Sequence, residues 1–321
     1  MTKTDAPPIL DFSAFYGDDS NARSQLIQDV RDSCLKNGFF QITGHRVPQE
    51  LQARTVKWAK RFFELPLEEK KKIDRTGNPY NRGYELMQSH MSEPGSAPDL
   101  KEGIFIGPEI APDHPYCVQQ KLNCGPNQWP QGMENLDEFQ RTSMEYYAAV
   151  FDLAEDILAV LALTMEYEED FFGPFTDGAV AMLRYLHYPP QRVGETEGRG
   201  TGAHRDYSCI TLLLQDEVEP TPGAYVVNLG NLFSRMTNEN YKSALHRVIN
   251  KSGLERYSIP FFFTGNPDYV CQCLSRFEKE GEPAKYPPAT VQDVVRAAVK
   301  GTVDRARRYN EEKQKAMEGG V

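Results

Sequence analysis

Five short β-prone runs crowd one stretch of the chain, at 180–188, 208–215, 224–229, 244–249 and 256–263. Gly, Pro and Asn punctuate the gaps, and no helical crossover fits between the runs. Strands joined without crossovers must turn back on one another, so the spacing predicts an antiparallel sheet.

The first half reads differently. Residues 8–12 predict a short opening strand. Leu26, Ile27, Val30 and Cys34 recur at helical spacing over 21–37, and Gly38 sits where a C-terminal cap belongs. Residues 39–43 are again β-prone. Pro48 suits the start of a second helix, which carries Leu51, Val56, Ala59, Phe62 and Phe63 and is stopped by Pro66. Residues 74–132 dissolve into Gly, Pro, Asn and aromatics, which predicts a long irregular region, and such lengths usually serve function. The longest helix is predicted over 134–166, with Leu136, Phe139, Tyr147, Phe151, Ile157, Leu161 and Met165 on its apolar side. A last helix is predicted near Thr290, where Thr290 and Asp293 can form a capping box. The layout is a mixed α/β (α+β) fold. Residues 1–175 form a mainly helical region that shapes a pocket, and 176–321 form a β core with a C-terminal helix.

Of the 321 residues, 40% are hydrophobic and 26% charged, ample for a large buried core. Acidic residues outnumber basic ones by 46 to 36, and the resulting net charge of -10 argues against a nucleic-acid partner. No run of apolar residues is long enough to span a membrane, and the opening residues carry no apolar signal region. The six cysteines are scattered, so they read as free thiols, Cys271 and Cys273 included. A cytoplasmic protein is expected.

The chemistry sits in the β-rich half. His204 and Asp206 are two apart, so on one strand both would face the same way. His246 lies on another predicted strand. Two imidazoles and a carboxylate can occupy one face of an octahedral metal ion and leave the other positions open, as in non-haem Fe(II) oxygenases. Ten residues after His246 come Arg256 and, two further on, Ser258. A guanidinium grips a carboxylate with two parallel hydrogen bonds, and a hydroxyl can add a third. That set suits the distal carboxylate of a keto acid, and Tyr188 can supply another hydroxyl. A zinc hydrolase using the same three ligands and a metal-bound water is an alternative, but it leaves Arg256 and Ser258 unexplained.

In this order the segments resemble the iron(II)- and 2-oxoglutarate-dependent dioxygenases of the isopenicillin N synthase-like superfamily. The resemblance runs through Asn37-Gly38-Phe39-Phe40-Gln41-Ile42-Thr43-Gly44-His45, Phe62-Phe63-Glu64-Leu65-Pro66 and Asn81-Arg82-Gly83-Tyr84. It continues through 183–190, 201–216, 241–250 and 256–263. It implies a double-stranded β-helix, a jelly roll of two facing sheets, flanked by N-terminal helices and a C-terminal helix. It implies His204, Asp206 and His246 as ligands of Fe(II). It implies Arg256 and Ser258 as the clamp on 2-oxoglutarate, with Tyr188 helping. O2 is the other co-substrate, and a small organic molecule would be hydroxylated, desaturated or cyclised with release of succinate and CO2. A monomer in specialised metabolism is expected. His45, His90, His114 and His187 are not ligands on this reading.

The chain departs from the family in four places. Arg205 separates the first two ligands and should point away from the metal. Asn231 stands where relatives usually have Asp, and Leu186 where plant members often have Asn. After Val218 the chain lacks roughly 15 to 20 residues, the size of one β-hairpin. In the family that hairpin belongs to the jelly roll, so its loss predicts unpaired strand edges and weakened support for the ligands. Two readings therefore stand beside the dioxygenase. One is an inactive relative that acts as a binding protein, and the other is an oxidase of the same superfamily that does not use 2-oxoglutarate.

Overall fold

The structure is a computed structural model that describes residues 6–190, 200–216, 221–250, 253–279, 281–299 and 305–312. The first half runs β1 (Ile9–Asp11), α1 (Ser13–Tyr16), α2 (Ser20–Lys36), β2 (Phe39–Thr43), α3 (Gln49–Phe63), α4 (Leu67–Lys71), β3 (Gly83–Glu85), β4 (Glu102–Ile106), α5 (Pro115–Val118), α6 (Leu136–Thr164) and α7 (Gly173–Thr176). The second half runs β5 (Val180–Tyr188), β6 (Thr201–His204), β7 (Ile210–Gln215), β8 (Tyr225–Leu229), α8 (Asn231–Met236), β9 (His246–Val248), β10 (Arg256–Gly265), β11 (Val270–Cys271), β12 (Ala289–Thr290) and α9 (Val291–Val299). Residues 305–312 are helical.

Eight strands form the main sheet in the order β1-β2-β8-β7-β10-β5-β4-β3. Its pairs are antiparallel except β1 with β2, which run parallel. Alternation divides the side chains between two faces. Tyr185, Leu212, Val227 and Phe261 are buried on one face, against α6. There the Tyr185 hydroxyl donates to Ser143 Oγ at 2.9 Å, and the Tyr147 and Phe261 rings lie 5.2 Å apart. Arg184, Tyr188, Thr211, Asn228, Arg256 and Ser258 line a cavity on the opposite face. The two-stranded sheet β6-β9 closes over that cavity.

Strands from both halves of the chain share the main sheet. The region 74–132 contains β3 and β4, where the composition predicts only irregular chain. Every residue of both strands is buried, so no alternation of polar and apolar residues announces them. The turn from α2 into β2 depends on Gly38, which has φ +75°. A Cβ there would lie 1.8 Å from the Lys242 carbonyl oxygen, so no other residue fits. The expected cap on the last helix is present: Asp293 N–H donates to Thr290 Oγ1 at 3.3 Å, and that hydroxyl donates to the Asp293 carboxylate at 2.6 Å. All six cysteines are buried free thiols. No helix among the described residues is long and apolar enough to cross a membrane.

Candidate active site

β6 ends at His204, so Asp206 lies on the turn that follows it rather than on the same strand. The turn still brings Asp206 round to the side of His204. His246 opens β9 and is the direct cross-strand partner of His204, with ring centroids 4.4 Å apart. One potential ligand atom from each of the three residues lies within 4.8 Å of the others. Asp206 Oδ1 is 3.5 Å from His204 Nε2 and 3.8 Å from His246 Nε2.

The surroundings orient all three groups. His204 Nδ1 lies 2.8 Å from the Gly202 carbonyl oxygen, and His246 Nδ1 lies 3.1 Å from that of Ala244. A carbonyl can only accept, so each Nδ1 carries the proton and each Nε2 offers a lone pair inward. Asp206 Oδ2 accepts from Thr211 Oγ1 and from Asn228 Nδ2, both at 2.7 Å, which leaves Oδ1 free. Burial works against the Asp206 charge, but His204 and His246 beside it, together with the Asn228 amide, favour the ionised form and hold the carboxyl well below its usual range. Two unprotonated imidazole nitrogens and an ionised carboxylate oxygen form a donor set that fits Fe(II). Arg205 between them is exposed and borders the neighbouring cavity that His204 and Asp206 also line.

Arg256 and Ser258 face the same cavity from β10. Arg256 pairs across the sheet with Tyr188, and its guanidinium lies 5.1 Å from the Tyr188 ring centroid. Arg256 Nη2 donates to Gln215 Oε1 at 2.7 Å, while the buried Nη1 has no protein partner among the described residues. A buried guanidinium nitrogen without an acceptor is costly, and a ligand carboxylate would supply one. This fits the distal carboxylate of 2-oxoglutarate. The trio and the clamp line one cavity of about 100 Å³.

The sequence reading missed Thr211, Asn228 and Gln215, which hold the acid and the clamp. Thr211 and Asn228 are polar residues at cavity-facing positions of otherwise apolar strands, and that break in the pattern was the available signal; Gln215 ends β7 and carries no such signal. The remaining histidines are engaged elsewhere. His45 contacts the Gly223 carbonyl, His90 contacts Asp99, His114 caps α5, and His187 contacts Glu102.

The expected gap after Val218 falls within 217–220, which lie outside the described residues. On either side of it, β7 and β8 pair directly. The sheet that carries both histidines has only β6 and β9 among the described residues, and Leu245 and Ile249, which flank β9, are 63% and 40% exposed.

Comparison with known proteins agrees with this architecture. Residues 178–265 match the 2OG-Fe(II) oxygenase superfamily, and residues 7–132 match the N-terminal region described as non-haem dioxygenase in morphine synthesis. The chain is 69% identical to a 2-oxoglutarate-Fe(II) type oxidoreductase of Aspergillus fumigatus, with 98% of each chain covered. That alignment spans 331 positions, more than the chain's own length, so the relative carries residues this chain lacks. It is 59% identical to the 2-oxoglutarate-Fe(II) type oxidoreductase hxnY of Emericella nidulans, with 96% of this chain and 93% of the relative covered. The fold is similar to that of a full-length Neurospora crassa protein solved in complex with alpha-KG and 5-formyluracil. The TM-score is 0.80 at 24% identity, with 92% of this chain and 96% of that one covered. The chain belongs to the 2-oxoglutarate- and Fe(II)-dependent oxygenases of the isopenicillin N synthase-like superfamily, an oxidoreductase family whose chemistry uses Fe(II), 2-oxoglutarate and O2.

Proposed function

We propose that the chain oxidises a small organic molecule, with His204, Asp206 and His246 holding Fe(II) and Arg256, Ser258 and Tyr188 holding 2-oxoglutarate. One observation carries this reading: the three-ligand cluster and Arg256, whose buried Nη1 has no partner among the described residues, line the same cavity. Fe(II) and 2-oxoglutarate supply the activation of O2. In the balanced reaction, 2-oxoglutarate, O2 and substrate R–H give succinate, CO2 and R–OH. Desaturation or ring closure of the substrate is the variant outcome.

The protein's own groups bind and orient. Arg256 takes the distal carboxylate through Nη1, with Gln215 fixing its other nitrogen. Ser258 adds a hydroxyl from the same strand face. Tyr188 forms the floor beneath the guanidinium. Thr211 and Asn228 hold the Asp206 carboxylate so that one oxygen faces the two imidazoles. The acting unit in this reading is a monomer. Residues 1–175 shape the pocket around the core at 176–321, and the setting is specialised metabolism.

The test is an anaerobic titration with Fe(II) and 2-oxoglutarate, read by the visible charge-transfer band of the chelate. The band should form in the wild type and weaken in Arg256→Ala at equal iron loading. A folded protein with no band would refute the reading and leave the inactive relative. Substrate oxidation without equimolar succinate would favour the 2-oxoglutarate-independent oxidase.

A further inference from the structure

A second cavity, of about 180 Å³, adjoins the first and shares Arg184, His204, Asp206 and Phe262 with it. Its wall is largely apolar, as small-molecule sites usually are, but it also carries several charged side chains. Arg184 reaches in from β5, four residues before Tyr188 on the same face. Arg75 reaches in from the loop before β3. Both guanidiniums pair with Glu85, and both lie against the Phe105 ring, at 4.2 Å for Arg75 and 4.0 Å for Arg184.

The charges do not cancel. Glu85 is buried and serves both arginines, and the exposed Arg205 adds a further positive charge to the wall. Lys101 is matched by Asp99, at 2.6 Å. His90 is held towards its neutral form by burial. Asp206 is committed to the metal. Arg184 Nε is buried with no hydrogen-bond partner among the described residues. A largely buried cation with a donor unused is stabilised by an anion that brings an acceptor.

The size and the remaining wall narrow the class. An apolar cavity of roughly 150 Å³ admits benzene, so this one has room for a single ring with a small substituent. Met182, Phe262 and Val295 supply apolar surface for such a ring. We propose that the substrate is a single-ring carboxylate, anchored through its carboxylate by Arg184 with Arg75 alongside, its ring lying against Phe262 and Met182 next to the metal ligands. The inference rests on the site reading above and adds the substrate class to it. Two anion sites then flank the metal on one sheet face, with Arg256 for the co-substrate and Arg184 for the substrate.

The experiment uses the full chain loaded anaerobically with Fe(II) and 2-oxoglutarate. Benzoate and 3-hydroxybenzoate are titrated in, beside benzamide and 3-hydroxybenzamide, with the visible band as readout. The acids should perturb the band at concentrations about tenfold or more below those the amides need, because a charged acceptor is replaced by a neutral one. Arg184→Gln should keep the band and erase the preference for acids, and Arg184→Lys should restore part of it. The wild-type comparison decides even where a variant misfolds. A band that acids and amides perturb alike, or that neither perturbs, overturns the substrate class alone. A preference for acids that survives in folded Arg184→Gln also overturns it. Absence of the band in the folded wild type overturns the site reading, and this inference with it.

Discussion

Asn228 Nδ2 donates to Asp206 Oδ2 at 2.7 Å, so the acid presents only its other oxygen to the two imidazoles. Asn228 sits on β8 of the main sheet, whereas Asp206 follows β6 of the small sheet. The bond therefore ties the ligand turn to the rigid sheet beneath it. Removing it leaves a buried carboxylate with Thr211 as its remaining anchor.

Asn228→Ala is expected to weaken Fe(II) binding about tenfold or more, the usual effect of losing a group that orients a ligand. Thr211→Val should act in the same direction, and the double variant should lose more than either alone. Competition against a metal-binding dye measures this. An unchanged affinity in Asn228→Ala would mean that the turn holds Asp206 without help.

Gln215 bears on the clamp in the same way. Its Oε1 accepts from Arg256 Nη2, and Ser258 is its cross-strand partner on β10. In Gln215→Glu a fixed carboxylate would sit where the guanidinium already points and compete with the incoming one. The KM for 2-oxoglutarate should rise about tenfold or more, while Gln215→Ala should give a smaller rise. Steady-state succinate release against 2-oxoglutarate concentration separates the two variants.

These supporting residues also mark where the sequence stopped being legible. Five of the eight strands of the β half follow from β-prone runs with turn residues between them, and their antiparallel pairing from the lack of room for helical crossovers; the short β6, β11 and β12 were not among those runs. The trio and the clamp follow from residue type and order, helped by a family resemblance. β3 and β4 left no trace, because they are buried on both faces and Gly83 and Gly103 interrupt them. The pairing of Glu85 with Arg184 was equally hidden. It joins residues almost a hundred positions apart, and only the approach of β3 and β5 through β4 creates it.

That pairing should be visible in acid stability. Burial alone would raise the Glu85 pKa, but Arg184 and Arg75 outweigh it and pull it down from 4.5 to about 2. A carboxyl with a depressed folded-state value adds stability that is complete above its unfolded value and lost as the pH falls through the folded one. Wild-type stability should thus fall between pH 4.5 and about 2 by a few kcal/mol more than that of Glu85→Gln, which cannot titrate there. Urea unfolding at stepped pH measures the difference. Parallel curves for the two proteins would show that the arginines do not hold the charge.

The small sheet gives the last expectation. β9 pairs only with β6 among the described residues, and Leu245 and Ile249 beside it stand in solvent. His246 opens this strand, so any fraying there carries a ligand with it. A designed hairpin inserted after Val218, supplying one strand to the edge of β9 that has no partner among the described residues, should cover those side chains and pair the strand's backbone groups. If it contributes as little as about 1 kcal/mol, the melting temperature should rise by roughly 2–4 °C. Fe(II) affinity should rise with it, because His246 would spend less time away from His204 and Asp206. A higher melting temperature with unchanged Fe(II) affinity would show that the two-stranded sheet already holds His246 in place.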